Sequence, residues 1–318
     1  MLVLQFLILI VGFVILIKGA DWLVKGGSSI ATRFGISSIV IGLTIVAFGT
    51  SAPELLVNVL ASLRGNSGIV VGNVLGSNIA NILLILGISA IIYPLAIKKG
   101  TVFIQVPLAL LSVVAMGVVA NDVLIDGGAG NFITRIDGIL LLLFFAIFIY
   151  YSFSIARVKG ESERVEEYSL NKSILFLFIG MASLAIGGEL VVRSAVSIAT
   201  FFGVSESLIA LTIVSIGTSL PELATSVIAA LNKKPDIAVG NVIGSNIFNT
   251  FWVLGFSAII RPVSFAPMLN VDVLFLVFIT VLLFVYMFLG KRDVIQKWQG
   301  VSLTFLYVVY IIYLIMRG

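Results

Sequence analysis

The sequence contains no cysteine and no histidine. Disulfides, thiolate nucleophiles, histidine-held haem and the usual zinc sites are thereby excluded. Any bound cation must be held by oxygen, which suits hard ions such as Na+, Ca2+ or Mg2+. Charge is scarce too: 11% of the 318 residues are Asp, Glu, Lys or Arg, against 60% hydrophobic residues, and the mean hydropathy is +1.22. That proportion exceeds what a soluble core needs and predicts membrane spans. The stretch Met1 to Ile17 has neither a basic leader nor a small-residue cleavage site, so it is expected to be the first span and not a signal peptide. The net charge of +4 reflects basic loops beside a membrane and gives no reason to expect a nucleic-acid partner.

Apolar runs separated by short polar breaks predict about ten helices, near 2–24, 37–63, 69–93, 101–120, 137–156, 173–198, 205–231, 237–260, 270–290 and 299–316. A helix of roughly 20 residues crosses the hydrocarbon core, so the expected fold is an all-α polytopic membrane protein. The longest polar break, Arg157 to Lys172, mixes Glu161, Glu163, Glu166 and Glu167 with Arg164. It reads as a solvated cytoplasmic linker (157–172), in preference to a calcium-sensing loop, between two five-span halves, 1–156 and 173–318.

The halves repeat. Gly72-Asn73-Val74-Leu75-Gly76-Ser77-Asn78-Ile79-Ala80-Asn81 matches Gly240-Asn241-Val242-Ile243-Gly244-Ser245-Asn246-Ile247-Phe248-Asn249, and Leu86-Gly87 through Pro94 matches Leu254-Gly255 through Pro262. Every matched pair is 168 positions apart, including Asp21 with Glu189 and Lys25 with Arg193. A constant offset means one duplicated unit. Five spans are an odd number, so the second copy enters the membrane from the opposite side, giving two inverted five-helix repeats. With the N-terminus outside, Lys18, Lys25, Arg33, Lys98, Lys99, Arg157, Lys159, Arg164, Lys172, Lys233, Lys234, Lys291, Arg292 and Lys297 gather on the cytoplasmic side, leaving Arg64, Arg135, Arg193, Arg261 and Arg317 outside. This bias places both termini outside.

Against so little charge, two acids stand out. Glu54 and Glu222 each follow Gly-Thr-Ser-x-Pro inside a long apolar run, where a carboxylate is expensive and usually functional. The bland reading is a buried acid paired with a base, but no Lys or Arg lies near either one within its span. Ala47, Thr50, Ser51 and Glu54 share one helical face, as do Ser215, Thr218, Ser219 and Glu222. Gly49 and Pro53 weaken the helix there and are expected to free carbonyls near Ala47 and Thr50, a break tolerated in a membrane where it lines a cavity. The next span brings Asn73, Ser77 and Asn81 onto one stripe, and its copy Asn241, Ser245 and Asn249. Two carboxylates, hydroxyls and amide oxygens converging at mid-membrane would suit Ca2+, which takes six to eight oxygens.

Simpler roles suffice elsewhere. The G-x-x-x-G pairs Gly72/Gly76 and Gly240/Gly244 read first as close helix packing. Asp21 with Lys25 and Glu189 with Arg193 read as i,i+4 ion pairs near span ends, and Asp122, Asp126 and Asp137 as capping or solvated groups.

The doubled G-T-S-x-P-E and G-N-x-x-G-S-N-I-x-N segments resemble the two alpha repeats of the sodium/calcium exchanger family, of the cation/calcium antiporter superfamily, over essentially the whole chain. The resemblance implies an antiporter that couples cation entry to Ca2+ extrusion by alternating access. It implies that Glu54 and Glu222 coordinate both Ca2+ and Na+, joined by the hydroxyls of Thr50, Ser51, Thr218, Ser219, Ser77 and Ser245 and by backbone oxygens at Ala47 and Ser215. The first and sixth spans resemble the pair that slides across the core. Several family members carry an aspartate in one repeat where this chain has Asn81 and Asn249 in both.

The leading expectation is therefore Na+/Ca2+ antiport, with Ca2+/H+ antiport on the same two glutamates as the alternative, because protons compete with Ca2+ for paired buried carboxylates. A passive channel usually needs a pore ring built around an oligomer axis. An intramembrane hydrolase needs a nucleophile with a base or an aspartate dyad, so the chain is expected not to be an enzyme. No cofactor and no protein partner is expected; the partners are the transported ions and the lipid bilayer, and the location a plasma membrane.

Overall fold

Inside a bilayer every backbone N–H and C=O must find a partner within the chain, so an apolar sequence of this kind folds as helices. The computed structural model describes residues 2–97, 101–156, 168–203 and 215–317. Most of the proposed linker (157–167) and the first part of the seventh predicted span (205–214) lie outside the described residues. So do Lys98, Lys99, Arg157, Lys159 and Arg164.

Seven described helices are long and apolar enough to cross a membrane: α1 (Leu2–Phe34), then Ser67–Ile92, Arg135–Ser154, Leu170–Phe201, Pro235–Ile260, Pro267–Tyr286 and Lys297–Arg317. An eighth crossing is the pair α2 (Ser38–Thr50) and α3 (Ala52–Arg64), bent by 44° at Ser51. We number Ser67–Ile92 α4, Val106–Val119 α5, Arg135–Ala156 α6, Leu170–Phe201 α7, Leu220–Leu231 α8, Pro235–Ile260 α9, Asn270–Tyr286 α10 and Lys297–Arg317 α11. The predicted count of ten thus includes two shorter apolar helices, Phe103–Val119 and Leu220–Leu231.

The predicted ends of the first and sixth spans fall short. α1 runs 33 residues and α7 32, about 50 Å each at 1.5 Å per residue, so both must tilt to fit a hydrocarbon layer of about 30 Å. They lie antiparallel and very close. A Cβ placed on Gly19 would sit 2.7 Å from Ser183 Cβ, on Gly26 2.8 Å from the Ser173 carbonyl, on Gly180 2.8 Å from Leu23 N and on Gly187 2.7 Å from Leu16 N. Glycine every seventh residue on both helices is what lets the backbones touch, since apolar burial provides no drive between helices in lipid. The expected Asp21–Lys25 pair forms at 2.7 Å, and Glu189 pairs with Arg193.

α4 and α9 form the centre: 72% and 78% of their apolar windows are buried, against 17% for α1 and 22% for α6. The halves interlock around them. Gly138 of α6 packs on Gly255 of α9, and Gly300 of α11 on Gly87 of α4, so the fifth helix of each half packs against the third helix of the other. Two short antiparallel ribbons repeat this exchange, Leu95–Ala96 with Val294–Ile295 and Phe132–Ile133 with Val263–Ser264. The architecture is the expected one, two inverted repeats with broken core helices.

Gly187→Leu should separate α1 from α7 and lower stability by about 1–3 kcal/mol, the usual cost of overpacking. Gly68→Ala, whose new methyl meets nothing nearer than Asn66 Oδ1 at 3.8 Å, should be neutral or stabilising. Unfolding midpoints of the detergent-solubilised variants check both.

Candidate functional site

The two Gly-Thr-Ser-x-Pro-Glu segments break their helices in the same way. Ser51 stands at φ −84°, ψ 3° and Ser219 at φ −87°, ψ 5°, each followed by a helix with proline in its first two positions, where a missing N–H costs nothing. The break differs from the sequence expectation in one respect. The Ala47 carbonyl is not freed, because it accepts from Ser51 N at 2.9 Å and from Thr50 Oγ1 at 3.3 Å. In the second copy Ser219 N turns to the Ile216 carbonyl at 3.1 Å, leaving the Ser215 carbonyl unclaimed by that donor. Ser215 opens the single turn Ser215–Gly217, and its side chain lies outside the described residues.

Unforeseen from the sequence are π-helical turns in α2 (Gly42–Val46), α4 (Asn81–Ile85) and α9 (Phe248–Val253). The last two hold Asn81 and Asn249. A π turn widens the helix by one residue and is frequent at functional sites.

Around these breaks the polar side chains interlock between halves. Thr50 Oγ1 donates to Asn241 Oδ1 at 3.0 Å, and its counterpart Thr218 Oγ1 to Asn73 Oδ1 at 3.2 Å. Asn241 is anchored in turn by donating to Ser226 Oγ at 3.0 Å, and Asn73 by donating to Asn58 Oδ1 at 2.8 Å. Asn81 Nδ2 donates to Asn246 Oδ1 at 2.9 Å, and Asn249 Nδ2 to Asn78 Oδ1 at 3.1 Å. Asn78 and Asn246 clasp each other directly, each amide donating to the other's carbonyl at 3.4 and 3.3 Å. Asn58, Asn78 and Asn246 were not singled out from the sequence. For Asn78 and Asn246 the signal was there, an asparagine at the same place in both Gly-Ser-Asn copies.

Glu54 and Glu222 are 1% and 0% exposed, and no ion pair is found for either among the described residues. Glu222 Oε1 accepts from Ser51 Oγ at 3.1 Å and Ser245 Oγ at 3.3 Å. Glu222 Oε2 and both oxygens of Glu54 have no hydrogen-bond partner, nor do Asn81 Oδ1, Asn249 Oδ1, Ser77 Oγ and Ser219 Oγ, all of them buried. An unpaired buried acceptor costs about 1–3 kcal/mol, more when charged, so this cluster is costly unless something electropositive completes it. The pattern is looser in one half: the Ser51–Glu222–Ser245 set is formed, while Ser219 and Thr218 stand beside Glu54 without closing such bonds and Ser77 Oγ has no partner. Among the described residues no three of Asp, Glu, His and Cys converge. The donor set is two carboxylates supplemented by neutral oxygens, as a hard cation in a flexible shell accepts.

The family model described as "Sodium/calcium exchanger protein" matches residues 4–154 and 172–316. The sodium/calcium exchanger MaX1 of Methanosarcina acetivorans is 36% identical, with 99% of each chain covered. The inner membrane protein YrbG of Escherichia coli is 38% identical over 76% of this chain and 75% of its own. The Ca2+/H+ antiporter ChaA of Bacillus subtilis is more distant, 27% identical over 65% of this chain and 63% of its own. Among solved structures, the sodium-calcium exchanger NCX_Mj soaked with 2.5 mM Na+ and 0.1 mM Ca2+ superposes with a TM-score of 0.84 at 34% identity, covering 98% of both chains.

Asn78→Leu and Asn246→Leu should each destabilise the protein by about 1–3 kcal/mol, because each strands a buried amide of the other half. The double variant should lose close to the sum, since each side-chain amide bonds the other residue's backbone carbonyl, which leucine retains, and the two side chains share no bond. Chemical unfolding of the four proteins in detergent gives the cycle.

Proposed function

Because the chain belongs to the sodium/calcium exchanger family, we propose that it is a secondary-active antiporter exchanging Ca2+ for Na+ by alternating access. Glu54 and Glu222 are its charged ligands. The reading rests above all on the buried cluster of unpartnered acceptor oxygens, Glu54 Oε1 and Oε2, Glu222 Oε2, Asn81 Oδ1 and Asn249 Oδ1, set where both helix breaks and two π turns meet. The hydroxyls of Ser77 and Ser219 complete the shell in the looser half. Thr50, Ser51, Thr218 and Ser245 reach it by exchanging their present bonds, and the Ser215 carbonyl is a better backbone ligand than that of Ala47. Two carboxylates offset one Ca2+, whereas three Na+ would leave a net positive charge, so exchange in that ratio would move charge across the membrane.

The protein would work in a plasma membrane with both termini outside, its halves 1–156 and 173–318 joined by a cytoplasmic linker. Ca2+/H+ exchange on the same glutamates is the second reading. It is favoured by the lack of a third acid among the described residues and by the likeness to a Ca2+/H+ antiporter.

Proteoliposomes loaded with Na+ and diluted into Na+-free buffer should accumulate 45Ca2+, and Glu54→Gln or Glu222→Gln should reduce uptake to background. Full flux in either variant would refute the site. Uptake driven by a proton gradient alone would keep the site and replace the coupling ion.

A further inference from the structure

Asp272 is an acid in the first turn of the apolar helix α10, 2% exposed, and it takes no part in the glutamate site. Its Oδ1 accepts from Tyr310 Oη at 2.9 Å and its Oδ2 from Arg317 Nη1 at 2.8 Å, both on α11. The ion pair is largely out of solvent, with side-chain exposures of 3% for Asp272 and 23% for Arg317. Arg317 also rests against the Tyr313 ring, 5.4 Å from its centroid. A charge pair inside a membrane protein marks a function by default, and a tie between two helices is the plainer alternative.

Its location favours function. Asp272, Tyr310 and Arg317 line a cavity of about 510 Å³ that also reaches Val57, Asn73 and Thr218. Asn66 and Gly68 on its lining are exposed and mark its mouth, and the partly buried, hydrogen-bonded pair Thr218 and Asn73 lines it as well. Thr218 directly precedes Ser219, whose hydroxyl belongs to the looser half of the glutamate site. Among the described residues lining the cavity, Asp272 and Arg317 carry the only charges. A cation travelling between the mouth and Glu54 would pass a wall whose net charge is zero only because Arg317 occupies Asp272.

We propose that Asp272 and Arg317 set the electrostatic potential of an access vestibule for the transported cation, Arg317 limiting how strongly Asp272 captures that cation on its way to the glutamates. The proposal rests on the cation-exchange reading. A cleft with low-dielectric walls focuses the field of a single uncompensated charge, so the sign of the effect follows the charge left behind. Arg317→Gln leaves −1 in the vestibule, Asp272→Asn leaves +1, and the double variant is neutral.

The test uses the whole protein in proteoliposomes, with Ca2+ presented to the face into which the vestibule opens. Arg317→Gln should lower the Ca2+ concentration for half-maximal uptake by roughly threefold to tenfold, Asp272→Asn should raise it by a similar factor, and the double variant should return to near the wild type. Arg317→Lys should resemble the wild type, and the shifts should shrink at high ionic strength. A merely structural tie predicts losses in the same direction for both single variants, no recovery in the double and no salt dependence; that outcome overturns the proposal.

A second readout needs no transport. The chain has no native cysteine, so Leu269→Cys, on the cavity wall, reports the local potential through its reaction rates with cationic and anionic thiol reagents. The cationic-to-anionic ratio should rise with Arg317→Gln and fall with Asp272→Asn, and unchanged ratios refute the vestibule potential. If the wild type moves no Ca2+ while the ratios shift as expected, the exchange reading fails, and with it the vestibule's role in exchange, leaving only its potential.

Discussion

The crossing of α4 and α9 is the constraint on which the rest depends. There Asn78 and Asn246 exchange amide hydrogen bonds across the internal symmetry axis, and each also receives the amide of the other half's Asn249 or Asn81. In a medium without water such groups have no alternative partners, which makes their geometry stringent. Orienting Asn81 and Asn249 by their nitrogens leaves both of their Oδ1 atoms free and buried. The bonds that hold the two repeats together thereby also leave unpaired the acceptor oxygens that we propose as ion ligands.

Small residues let everything else gather round that crossing. Gly240 and Gly244 bring α9 against α2, where added Cβ atoms would lie 2.7 Å from the carbonyls of Ile39 and Leu43. The packing reading of that Gly-x-x-x-Gly pair is therefore right. Glycine contacts also seat the exchanged fifth helices, and α1 with α7 form a smooth glycine-lined pair on the outside. The outer pair is joined by close backbone approach at its glycines and by the Ser173–Ser29 hydroxyl bond at 2.9 Å.

Symmetry in the sequence is not symmetry in the bonded network. Glu222 accepts from two serines within 3.3 Å, whereas Ser219 and Thr218 stand beside Glu54 without closing bonds of that geometry, although the residues flanking the two glutamates are nearly identical. Two equivalent half-sites cannot both reach their best bonding in one asymmetric arrangement of helices. On the alternating-access reading proposed above, exchanging the roles of the two halves supplies the second state.

Much of this was legible in the sequence. The ten apolar runs, the 168-residue repeat, the inversion and the two glutamates follow from hydropathy, from a count of spans and from the rarity of charge, all properties local to the chain. The helix break at Ser51 and Ser219 was likewise local, because proline removes a donor wherever it stands. Tertiary structure alone decided the partners. Nothing in the order of residues says that Asn78 meets Asn246, that Ala47 keeps its carbonyl bonded, or that the fifth helix of each half packs on the other. The π turns at Asn81 and Asn249 were equally hidden, since a widened turn is set by what packs against it. Asp272 and Arg317, 45 residues apart, become an ion pair on a cavity wall only when α10 and α11 fold side by side. Composition dictates which groups are too costly to leave unpaired in a membrane, and only the packed structure determines where each finds its partner.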